Sequence, residues 1–261
     1  MAAIITLTTD FGVRDPFVGV MKGVILGIAA DLMLVDLTHD VAPHDVLEGA
    51  LAVEAAVPFF PPGTVHLAVV DPGVGSTRRP LAVAVRGQSF VGPDNGLFSF
   101  LFQRPGWRAV ALENAAYRLA APSQTFHGRD IFAPAAAYLA LGTPLDRFGR
   151  AVTDPVTIGW PTARRQGETL LGEVIHADRF GNLVTSVRAG DLGALGPPES
   201  LTVEIEGKEI GRIVGCYSDL LPDEAGAVIG GSDRLEICLR EGSALTLTGA
   251  ARGTPVVVRK L

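Results

Sequence analysis

Short apolar runs alternate with helix-spaced segments through roughly the first 150 residues. Ile4–Thr8 is rich in β-favouring residues and predicts a strand. Asp15-Pro16 reads as an N-cap followed by proline at the first helical position, opening a helix to about Ala29. Met33–Leu37 predicts the next strand, and Pro43–Ala56, with Leu47, Ala50, Leu51 and Glu54, the next helix. Pro61-Pro62-Gly63 ends it, and Thr64–Val70 is a continuous apolar run typical of a strand covered on both faces. Arg86-Gly87-Gln88 is a turn between the strands Leu81–Val85 and Ser89–Val91. Ile131–Leu141 has helical spacing, with Asp130 placed to cap it and Pro134 in its first turn. Strand–helix alternation of this kind predicts an α/β N-terminal domain, a mainly parallel sheet with helices on both faces.

The pattern changes after about Thr153. Residues 154–167, with Trp160-Pro161 and Arg164-Arg165, have no clear period and read as a linker between a domain at 1–153 and a domain at 168–261. Beyond it, β-like runs occur at Leu170–Ile175, Leu183–Val187, Leu201–Ile205, Leu235–Leu239, Leu245–Leu247 and Pro255–Val258. Turn residues separate them, which predicts a smaller antiparallel β domain or barrel.

Composition narrows the class. Of the 261 residues, 48% are hydrophobic and only 19% charged, which argues against disorder. The net charge of −6 argues against nucleic-acid binding, since phosphate neutralisation needs cations. Two cysteines, Cys216 and Cys238, in so long a chain argue against a disulfide scaffold. The start of the chain has no leader pattern and no run is long enough to span a membrane, so the expectation is a cytoplasmic protein.

With charges scarce, their placement matters. Thr8-Thr9-Asp10-Phe11-Gly12, Asp36-Leu37-Thr38-His39, Asp71-Pro72-Gly73-Val74-Gly75 and Pro93-Asp94-Asn95-Gly96 each follow a predicted strand, and His127-Gly128-Arg129-Asp130 opens a helix. In an open α/β sheet the carboxyl ends of strands converge on one crevice where ligands bind. Singly, Asp10 could cap a loop, Asp71-Pro72-Gly73 could be a turn, and His39, His44, His66 and His176 read as structural. Gly73–Arg78 lacks the ending of a phosphate-binding loop, and neither a Gly-x-Ser-x-Gly elbow nor a zinc signature occurs. Asp71, Arg78 and His127 together can hold and polarise a water without a metal. A metal-dependent hydrolase using Asp10, Asp36, Asp71 and Asp94 is a competing reading.

Five motifs in order carry a family resemblance: Thr8–Gly12, Val70–Gly75, Pro93–Gly96, Phe126–Phe132 and Asp178-Arg179-Phe180-Gly181-Asn182. Over essentially the whole chain they resemble the S-adenosyl-L-methionine hydroxide adenosyltransferases, relatives of the bacterial fluorinase and chlorinase. The resemblance implies an α/β domain joined to a β-barrel-like domain. It also implies a homotrimer with each site between neighbouring subunits. The reaction implied is S-adenosyl-L-methionine plus water giving adenosine and L-methionine, with no metal and no cofactor. The family's catalytic residues match Asp71, Arg78 and His127, and its ribose-binding acid matches Asp10. Asp178 matches the contact to the methionine amine, Phe180 and Asn182 those to adenine, and Ser232 that to the carboxylate. Phe11, His44, Asp94, Asn95 and Arg240 complete the expected binding set. Where the fluorinase has Ser followed by Arg, this chain has Ser232-Asp233, with Arg234 one residue later. The alternatives are a halogenase, disfavoured by the negative charge of Asp71 and the presence of His127, and a non-catalytic adenosine or S-adenosylmethionine binder.

Overall fold

A computed structural model describes residues 3–103, 105–193 and 195–261. Met1 and Ala2, part of the chain start read for a leader, lie outside these. The chain divides into two units, Met1–Gly159 and Trp160–Leu261.

In the first unit the chain runs β1 (Ile4–Thr9), α1 (Phe17–Ile28), β2 (Met33–Thr38), α2 (Val46–Ala56), β3 (Val65–Val69), β4 (Pro80–Val85), β5 (Gln88–Pro93), α3 (Ser99–Phe102), β6 (Arg108–Ala111) and α4 (Ala133–Ala140). The sheet order is β2-β1-β3-β5-β4-β6. Strands β2, β1, β3 and β5 are parallel, whereas β4 pairs antiparallel with β5 and β6. The sheet is therefore mixed, with β4 alone running against the other five strands. The cause is the tight turn at Arg86-Gly87, where both residues have positive φ (51° and 78°) and close a two-residue hairpin.

Two expected caps differ. Pro16, not Asp15, occupies the N-cap of α1 and no side chain caps it. Gly19, Gly23 and Gly27 weaken this helix by about 1 kcal/mol each relative to Ala. Burial of Val18, Met21 and Ile25 holds it instead. Asp130 does not cap α4 either, because a π-helical turn at Gly128–Phe132 precedes it. By contrast Asp45 does cap α2, accepting from Glu48 N at 3.0 Å. Helices α1 and α4 pack on one core cluster with Ile5, Leu7, Val65, Leu67 and Val69.

In the second unit follow β7 (Arg164–Gln166), β8 (Thr169–Ala177), β9 (Leu183–Arg188), α5 (Ala189–Leu192), β10 (Leu201–Ile205), β11 (Lys208–Arg212), β12 (Ala225–Ile229), β13 (Arg234–Leu239), α6 (Ala244–Thr248) and β14 (Pro255–Lys260). The sheet order is β11-β10-β14-β8-β9-β13-β12, all antiparallel, with β7 added to β8. A bridge between Ile213, just after β11, and Ala227 of β12 brings the two ends of the sheet together, so it curls into a barrel-like form. Leu245–Leu247, expected as a strand, is helical. Ser243 Oγ accepts from Thr246 N at 3.1 Å and Gly249 ends the turn in the left-handed region, so local capping overrides the alternating pattern.

The stretch 154–167 is not free of structure. Asp154 pairs with Arg79, Val156 N donates to Asp94, and Ile158 N donates to Ser99 Oγ at 2.9 Å, all within the first unit. Arg164–Gln166 is strand β7 of the second. Among the described residues no helix is long and apolar enough to cross a membrane.

Candidate active site

Parallel pairing places the carboxyl ends of β1, β2, β3 and β5 along one edge of the sheet. The loop after β3 turns back on itself: Val74 N donates to Asp71 O, and Ser76 N and Oγ both donate to Gly73 O. This brings Arg78 onto Asp71. Arg78 Nε donates to Asp71 Oδ1 at 2.8 Å and Nη2 donates to Oδ2, a bidentate pair. Both side chains are nearly buried, at 9% and 5% exposure.

Gly75 seats this loop against a second one. Its φ is +77°, and an added Cβ would fall 2.5 Å from the carbonyl oxygen of Gln124. The segment thus held close ends in His127, whose Nδ1 lies 2.8 Å from Arg78 Nη2. Phe132 lies under the guanidinium, 5.3 Å from ring centroid to Cζ. Asp71, Arg78 and His127 therefore meet in one cluster. Burial pushes the His127 pKa below its usual value and the charge of Arg78 lowers it further. Asp71 and Asp130 act in the opposite sense and Arg118 adds to the lowering. His127 is neutral near pH 7.

Asp10 follows β1 and accepts from His44 N at 2.9 Å, with His44 held at φ +69°. Phe11 packs edge-on against Phe17 and Phe126. Asp94 and Asn95 are engaged by the protein. Asp94 accepts from Arg79 Nε and Val156 N at 2.7 and 2.8 Å. Asn95 donates to Val70 O and accepts from Leu97 N. These bonds hold the loop after β5 and the 154–158 segment.

In the second unit the loop between β8 and β9 is closed by Asp178, which accepts from Phe180 N, Asn182 N and Asn182 Nδ2. Gly181, at φ +82°, leaves no room for a side chain beside Ser243. The closed loop projects Phe180, 76% exposed, and buries Asn182. Ser232 lies in the β12–β13 turn. Arg240 donates to the carbonyls of Ser218 and Leu220, and so braces the loop before β12.

Sequence reasoning passed over Glu236 and Tyr217. Tyr217 Oη donates to Glu236 Oε2 at 2.9 Å, and burial together with nearby Asp178 raises the Glu236 pKa. A lone acid inside the apolar run of β13 was the available signal. Arg118, acting on His127, had none. The acids proposed as metal ligands do not cluster: Asp36 pairs with Lys22 and His39, Asp71 with Arg78 and Asp94 with Arg79. Among the described residues no group of three or more His, Cys, Asp or Glu could hold an ion.

A polar cluster at the strand ends of an α/β unit, joined in sequence to a barrel-like β unit, matches a known pair of domain models. Residues 5–149 match the N-terminal domain and residues 172–257 the C-terminal domain of the SAM hydroxide adenosyltransferases. The chain belongs to this family. Among relatives, an (R)-S-adenosyl-L-methionine hydrolase of Thermus thermophilus is 39% identical over 257 residues, covering 95% of this chain and 96% of that one. A fluorinase of an Actinoplanes species is 30% identical over 221 residues, 74% of each chain. A crystal structure of an uncharacterized conserved protein from Thermotoga maritima superposes over 100% of both chains with a TM-score of 0.92 and 31% identity.

Proposed function

We propose that this protein hydrolyses S-adenosyl-L-methionine to adenosine and L-methionine. The observation that carries the reading is the joining of Asp71, Arg78 and His127 in a chain that is 39% identical over nearly its full length to an (R)-S-adenosyl-L-methionine hydrolase. The fluorinase relative shares less of the chain.

In this reading water attacks ribose C5′ in line with the sulfonium. The leaving group is a neutral thioether, so no general acid is needed. Catalysis then consists of placing the oxygen within about 3–3.5 Å of C5′ and stabilising its developing negative charge. Asp71 fixes Arg78, and Arg78 with His127 faces the attacking oxygen. Asp10, held by His44 N, accepts the ribose hydroxyls, and Phe11 packs beside it. Phe180 stacks on adenine, with Asn182 beside it. Asp178 meets the ammonium and Ser232 the carboxylate. Asp94, Asn95 and Arg240 complete the binding set and brace the loops around it. No metal or cofactor takes part.

The architecture belongs to the same reading: an α/β catalytic domain at 1–153 with helices on both sheet faces, a connection at 154–167 and a β domain at 168–261. So do a cytoplasmic location and a homotrimer with sites at subunit interfaces. The test is to incubate purified, chelator-treated protein with the substrate in ¹⁸O-water and separate the products. Adenosine carrying ¹⁸O at the 5′-hydroxyl is expected. Tight binding without product would instead favour a sensor, and unlabelled adenosine would exclude attack by water at C5′.

A further inference from the structure

Two histidines bond to threonines of β1, and they differ in what lies beyond. His66 Nδ1 meets Thr6 Oγ1 at 2.8 Å inside the sheet, with both residues buried. His39 Nδ1 meets Thr9 Oγ1 at 2.9 Å at the end of the strand, where the chain leaves the sheet to carry Asp10. Thr9 is fully buried and His39 is 6% exposed.

His39 grips this loop on both sides of Asp10. On one side, Thr9 Oγ1 also accepts from Phe11 N at 3.3 Å, which closes a turn across Asp10. On the other, the backbone oxygen of His39 accepts from Gly12 N at 2.8 Å. The carboxylate itself accepts from His44 N through Oδ2, which fills one of about four acceptor positions on such a group. Beside His39 Nε2, Asp36 Oδ1 lies 3.0 Å away, an oblique charge contact rather than an aligned hydrogen bond. The Asp36 side chain is 42% exposed and shared with Lys22, so water screens it. The buried bond to Thr9 is therefore the stronger hold. With a proton on Nε2, toward that carboxylate, Nδ1 accepts from the Thr9 hydroxyl and leaves the hydroxyl lone pairs to Phe11 N.

We propose that His39 is a positioning residue for ribose recognition. Through Thr9 and Gly12 it fixes the direction of the Asp10 carboxylate, and so sets the preference for a nucleoside that carries ribose hydroxyls. This rests on the hydrolase reading for the contact between Asp10 and the ribose. The His66–Thr6 pair has the same chemistry with no loop to hold, and it serves as the internal control.

Two measurements on the whole protein test it. In the first, adenosine and 2′,3′-dideoxyadenosine are titrated by calorimetry into the wild type and four variants. The wild type is expected to bind adenosine more tightly. Thr9→Val, which keeps the size and loses the hydroxyl, and His39→Leu are expected to weaken adenosine at least about tenfold and to leave the dideoxynucleoside unchanged. Thr9→Ser restores the hydroxyl and is expected to keep the preference, as is Thr6→Val, which removes the matching bond inside the sheet. A Thr9→Val protein with the preference intact, or with equal losses for both nucleosides, overturns the proposal whether or not His39→Leu folds. Loss of the preference in Thr6→Val or Thr9→Ser overturns it too. The second measurement follows adenosine release from S-adenosyl-L-methionine. A wild type that shows the preference but releases no adenosine overturns the hydrolase reading and leaves the positioning role. Hydrolysis by a wild type with no preference between the nucleosides overturns the positioning role and leaves the hydrolase reading standing.

Discussion

Asp71 and Arg78 are seven positions apart, yet they act as one group, because two parallel N–H···O bonds fix the guanidinium plane. Asp71→Asn keeps the size but loses the charge. Turnover measured by adenosine release is expected to fall about 10²–10³-fold, with substrate affinity changed far less. The lowered His127 pKa gives a second expectation. The neutral ring is the form that accepts from Arg78, so the acid fall in kcat/KM should lie below the pH at which an ordinary histidine protonates, as protonation sets two donors against each other. His66 shows the same physics as stability. Buried on β3 against Phe90, with Nδ1 on Thr6 Oγ1, its pKa is lowered by burial to about 4 from 6.5. The folded state thus resists a proton that the unfolded chain accepts. Its contribution is intact above pH 6.5 and is lost as pH falls from 6.5 to about 4, reaching about 3 kcal/mol. Urea unfolding at pH 7.5 and 4.5 checks this; His66→Phe should lose less stability between the two.

At the scale of elements, the site depends on loops held by backbone geometry. Gly75→Ala would place a Cβ 2.5 Å from Gln124 O at φ +77°, so the loops bearing Arg78 and His127 should separate. Activity is expected to drop at least about tenfold, a 1.4 kcal/mol change, with residual folding verified by circular dichroism. Asp94 is a brace of another kind. Removing one partner of a buried pair costs about 3–5 kcal/mol. Asp94→Ala should therefore lower Tm markedly in a thermal melt; an unchanged Tm would remove the brace. The elements also mark where local pattern prevails. β1, β3, α2 and β8 were legible because apolar period and a cap agreed. β6, β11 and β12 are short and their strand character comes from neighbours, while Leu245–Leu247 alternates like a strand and is turned helical by Ser243 and Gly249.

For the whole molecule, the oligomer predicted is three times the 27.3 kDa chain mass, which light scattering measures directly; a monomer that hydrolyses the substrate at full rate would remove the interface from the reading. The low charge that first spoke only of core size also describes where charge went, to strand ends and loops. Sequence alone determined the strand–helix alternation, the change of texture after Thr153 and the motif order that names the family, because these depend on local period and residue identity. Only tertiary structure decided that β4 alone runs against the other strands of its sheet, that Asp94, Asn95 and Arg240 bind their own chain, and that Arg78 Nη2 meets His127. The last of these joins groups 49 positions apart in the chain, and no local pattern encodes such a distance.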